Sequence, residues 1–103
     1  MITILLTKAP KPFGLPLDDA DALRTRLAQS MDEAQLGAAI ELNYALAAGG
    51  SVKWNEDQKF AVDIVLSDWL GKAGFTERFG DLRSALRLDL GMNNPDEPGR
   101  RSG

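Results

Sequence analysis

The side chains available for chemistry in this 103-residue chain are carboxylates, lysines, arginines, hydroxyls and a single tyrosine, because the sequence contains neither histidine nor cysteine. The usual general base near neutral pH, the commonest metal ligand, the thiolate nucleophile and most structural zinc sites are thereby removed. A serine nucleophile would need a lysine as its base, and no motif marks such a pair.

The carboxylates form two groups. Asp18, Asp19 and Asp21 resemble a divalent-metal cluster in composition, but the glycine and distal glutamate of a calcium loop are missing, and on a helix only Asp18 and Asp21 share a face. Carboxylates in a first helical turn complement the exposed amides and the macrodipole, which accounts for all three. Glu56, Asp57, Asp63 and Asp68 could supply the paired carboxyls of acid and base catalysis, with Asp63 or Asp68 at the centre. Glu56 and Asp57 again fall where a helix begins, and Asp68 has Lys72 four residues on, a favourable ion-pair order. No metal and no cofactor is therefore expected. Gly71-Lys72-Ala73 lacks the serine or threonine, the earlier glycine and the preceding strand of a phosphate loop.

Arg83 and Arg87 lie four apart, with no acid three or four residues from either, so their charge must be met elsewhere: by acids of the middle segment, by an acidic partner or by phosphates. Core packing is the first use to expect of both Trp54 and Trp69, with an interface contact as the alternative, and the two flank the third expected helix. Trp54 precedes its cap, where partial exposure is expected, and tryptophan beside arginine is the composition of an interface hot spot. Phe13 sits in a proline-punctuated stretch, 8–16, that either lays it into a partner's pocket or lets it cap its own core together with Leu15. Trp54, Phe13, Arg83 and Arg87 are the expected partner-binding residues.

The elements that must position these side chains follow from periodicity and caps. Residues 2–7 read as a strand, whose only evident partner is the short run 51–54 after Gly49-Gly50, or else the same strand of a second subunit. Helices are expected over about 18–29, 31–48, 56–72 and 76–90. Ser30 with Glu33 is the expected capping box of the second, and Asn55 with Gln58 repeats that logic for the third. Gly71 or Gly74 should end the third helix and Gly91 the fourth. The second and third helices carry apolar residues around more than one stripe, which suits a central position or an interface. The expected fold is mainly α: a compact bundle of about four helices over residues 1–91 with an N-terminal strand, followed by a disordered tail, 92–103, of Asn, Pro, Gly and charge.

Hydrophobic residues make up 44% and charged residues 26% of the sequence, the values of an ordinary globular domain. No apolar run approaches the ~20 residues of a membrane span, and the N-terminal residues lack the pattern of a signal peptide. A soluble, cytoplasmic protein is expected. Net charge is −3, with residues 1–16 at +2, 17–68 at −6 and 69–91 at +1, a segregation that suits contacts within the fold or between subunits.

These readings favour a non-enzymatic protein–protein interaction module of the adaptor, inhibitor or antitoxin-like kind, as is frequent among small acidic proteins of phage and mobile elements. It would act on another protein and is expected to be a homodimer. The alternative is a DNA-binding regulator in which helix 76–90 reads the groove from a helix-turn-helix-like pair; an acidic chain makes nucleic acid the less favoured partner.

Overall fold

The computed structural model describes residues 1–8, 11–72 and 74–92, so the expected tail beyond Met92 lies outside the described residues. The elements run β1 (Ile2–Ile4), β2 (Phe13–Leu15), α1 (Leu17–Ala28), α2 (Glu33–Ala48), β3 (Ser51–Val52), α3 (Glu56–Trp69) and α4 (Glu77–Asp89). The protein is mainly α, as expected, with four helices against one small sheet.

The N-terminal strand finds its partner within the chain. β1 is the middle strand, antiparallel to β2 (Ile4 opposite Phe13) and parallel to β3 (Thr3 opposite Ser51, Ile4 opposite Val52). A parallel neighbour demands a crossover, which here is the α1–α2 hairpin. β2 is an addition to the expected elements. Pro12 and Pro16 bracket it, and Gly14 allows close approach: a Cβ there would meet the Met1 sulfur at 2.7 Å.

Helix boundaries follow their caps. α1 begins at Leu17 with Asp18 and Asp19 in its first turn, and buries Ala20, Leu23 and Leu27. α2 starts two residues later than expected, because Asp32 rather than Ser30 is its cap. The Asp32 carboxylate accepts from the Gln35 amide at 3.0 Å, while the Ser30 hydroxyl accepts from the Asp32 amide at 2.9 Å. Asn55 and Gln58 form the expected reciprocal box at the start of α3. α3 ends at Trp69, ahead of both candidate glycines, and Gly71 and Gly74 each adopt positive φ in the turn to α4.

The core joins Ile2, Ile4, Leu15 and Val52 of the sheet to Leu23, Leu27, Leu42, Val62, Leu66, Phe79, Leu82 and Leu86 of the helices. Trp69 and Phe79 meet across α3 and α4 with ring centroids 4.8 Å apart, a tilted contact of the favoured kind.

Candidate functional site

Trp54 does not stand at the surface. The indole is 1% exposed, and its Nε1–H donates to the Ala38 carbonyl at 3.3 Å. That bond ties the chain leaving β3 to α2, and burial leaves the ring no face for a partner. Phe13 is half-buried and packs on the core from β2, as the capping reading requires.

Arg83 and Arg87 find their acid in the middle segment. Both reach across from α4 to Asp63 on α3: Arg87 donates to Oδ2 at 3.1 Å, and the Arg83 Nε lies 3.8 Å from Oδ1 while donating to the Ser67 hydroxyl at 2.9 Å. The arginine side chains are 12% and 15% exposed and the Asp63 carboxylate 8%. Two guanidiniums on one carboxylate pin α4 to α3, so the face offered to DNA in the helix-turn-helix reading has its cations engaged inside the protein. Asp68 pairs with Lys72 at 3.3 Å, and Asp21 with Arg24 at 2.6 Å. Among the described residues no three acidic side chains gather to hold a metal ion, and no helix is long and apolar enough to cross a membrane.

The sequence reading missed the most buried charges. Lys59 of α3 donates to Asp89 at the end of α4 and to the Thr7 hydroxyl at 3.1 Å, with side-chain exposures of 7% for Lys59 and 0% for Asp89. The Asp89 carboxylate also accepts from the backbone amides of Thr7, at 3.1 Å, and Lys8. Burial, the largest single influence, pushes this carboxyl up, but the Lys59 hydrogen bond, the Lys8 and Thr7 amides and the Lys59 charge together outweigh it, and the pKa settles at about 2 against an ordinary 3.8. One signal for this cluster was present in the spacing: Lys59, Val62, Asp63 and Leu66 fall on one helical face, so two charges occupy the buried stripe of α3.

Comparison of the chain with models of protein families, with curated proteins and with solved structures finds no match.

Exposed apolar surface lies on α2 and α3, the two helices expected to carry more than one apolar stripe. α2 buries Ala38, Leu42 and Ala45 but leaves Ile40 and Tyr44 54% and 68% exposed. With half-buried Leu36 they form a stripe at four-residue spacing along a groove of about 380 Å³, with Ala28 and Arg24 of α1 on its other side. Phe60 and Ile64 of α3 make a second exposed pair on the other flank of α2, beside Ala34 and Gln35.

Proposed function

We propose that this protein is a non-enzymatic interaction module that accepts an amphipathic helix of a partner protein in the groove between α1 and α2. The observation that carries this reading is the stripe of exposed Ile40 and Tyr44 with half-buried Leu36. Side chains at i, i+4 and i+8 keep to one helical face, and two antiparallel helices with small residues between them present the groove in which a third helix lies. Tyr44 and Arg24 belong to the residue types that dominate binding hot spots, and both border the groove. The interface residues thus move from Trp54, Phe13, Arg83 and Arg87 to α2. A cysteine-free chain suits a cytoplasmic setting.

One feature of the stripe favours a homodimer as a second reading. It is centred on Ile40, so a two-fold axis there would bring Leu36 of one copy to Tyr44 of the other, as isologous packing requires.

Both readings are tested with Ile40→Asp/Tyr44→Asp, a change at two exposed positions. The double variant should keep the wild-type melting temperature while losing the proteins that the tethered wild-type chain retains from its source cell. Equal retention of the same proteins overturns the assignment to this groove. Light scattering over a concentration series separates the second reading, which requires a doubled mass that the variant halves.

A further inference from the structure

The parallel pairing of β1 with β3 places the C-terminal ends of two strands side by side. The chain leaving β1 runs into Thr7 and Lys8, and the chain leaving β3 runs through Lys53 to Asn55 and into α3. Between these segments lies a groove of about 290 Å³ bordered by Thr7, Lys8, Lys53 and Lys59. The outer end of a parallel strand pair is where α/β proteins build ligand sites, because the connecting segments diverge there and leave a crevice.

Three lysines, Lys8 after β1, Lys53 after β3 and Lys59 of α3, thus line one crevice. Its two acids, Glu56 and Asp89, differ in their state. Asp89 is already satisfied by the Thr7 and Lys8 amides and by Lys59, whereas Glu56 is exposed. The crevice is therefore positive by one charge in a chain whose net charge is −3. An ammonium has three N–H bonds. Among the described residues, Lys59 places two, on Asp89 and the Thr7 hydroxyl, leaving one for a ligand.

We infer that this crevice binds a small phosphate monoester, its oxyanion held by Lys8, Lys53 and the remaining N–H of Lys59. Three cationic donors suit a group with three terminal oxygens better than a planar carboxylate with two. The crevice exceeds a bare phosphate in size and matches the lower end of small-molecule sites, leaving room for the esterified carbon skeleton. This site is independent of the α1–α2 groove.

The test is a titration of the full chain, followed by amide NMR at constant ionic strength, with glycerol phosphate, inorganic phosphate and acetate as probes. Glycerol phosphate should shift the Thr7, Lys8, Lys53 and Asn55 amides at millimolar concentration, with inorganic phosphate weaker and acetate weakest. Lys8→Ala and Lys53→Ala, both at exposed positions, should each weaken binding about two- to fivefold, the range expected of an exposed charge contact. Glu56→Gln should tighten it. Spectra unchanged at about 10 mM glycerol phosphate overturn the site. So do shifts that sodium chloride alone reproduces, equal affinity for acetate, or alanine variants that bind like the wild type. Inorganic phosphate binding as tightly as the ester would place the recognition in the oxyanion alone and overturn the assignment of an ester.

Discussion

Lys59 and Asp89 show how two side chains can matter more to a fold than a catalogue of motifs suggests. A buried ion pair gains little over apolar residues of the same shape, because both charges leave water, but removing one partner strands the other. Lys59→Met should therefore cost about 3–5 kcal/mol in chemical denaturation, and Lys59→Met/Asp89→Leu should recover most of that loss. A double variant no more stable than the single one would show that the polar contacts of Thr7 and Lys8, rather than the uncompensated charge, set the cost. The sign of the pH dependence follows from the depressed carboxyl, about 2 in the folded protein and 3.8 as its ordinary value. The group stabilises the fold above pH ~4, by about 2 kcal/mol, and loses that contribution as the pH falls toward 2. Unfolding free energies measured from pH 6 to 2 should fall over that window, and Asp89→Asn should flatten the curve there. The two residues escaped the sequence reading because they are 30 positions apart, and Lys59 already has acids at helical spacing in Glu56 and Asp63. Arg83 and Arg87 were legible as cations without local acids, but the identity of Asp63 as their acceptor depends on the crossing of α3 and α4.

At the scale of the element, local signals succeeded where one cap dominated and shifted where two competed. Asn55 and Gln58 stand alone before an apolar run, and α3 starts there. Ser30 and Asp32 both have the right residue three positions on, and the carboxylate, a stronger acceptor for a helix amide than a hydroxyl, takes the cap of α2. Asn55→Ala should cost about 1 kcal/mol, the usual worth of an N-cap, while Ser30→Ala should cost less than half of that. Equal losses in thermal unfolding would mean that Ser30 contributes as much to the start of α2 as the cap residue contributes to α3. β2 escaped notice for a related reason: three residues between prolines, one of them glycine, carry almost no strand signal, and what makes them a strand is the free edge of β1. The stripe on α2 was anticipated only as excess apolar surface. Which residues it would expose depended on how α1 and α3 divide the helix between them.

For the whole molecule, the arrangement of three short strands has a consequence larger than their size. β1 holds both neighbours, and its Ile2 and Ile4 are fully buried among residues of the helices. Deleting residues 1–5 removes the only strand that β2 and β3 pair with among the described residues, and uncovers the sheet side of the core. The truncated protein should lose its cooperative thermal transition and its near-ultraviolet circular dichroism while retaining part of its helical signal. A sharp transition near the full-length melting temperature would show that the helices hold together without the sheet. The mainly α class was legible from periodicity, because the helices are long enough to repeat their pattern. The crossover was legible only as one of two ways to pair a lone strand.

The contact between Asp89 and the amides of Thr7 and Lys8 closes a span of 82 and 81 residues. During synthesis β1 is made before any of the helices, yet its last partner arrives only with the end of α4. Such distant closure adds little to the equilibrium cost, which grows only logarithmically with span, but it slows the search. Until residue 89 is free to turn back, the segment leaving β1 lacks the carboxylate that accepts from its amides, even where β2 and β3 have already paired with β1. Thr7 and Lys8 are thus translated ahead of α1 to α4 but can be anchored only after α4 is complete, and chain left open over such an interval is what chaperones and proteases act on.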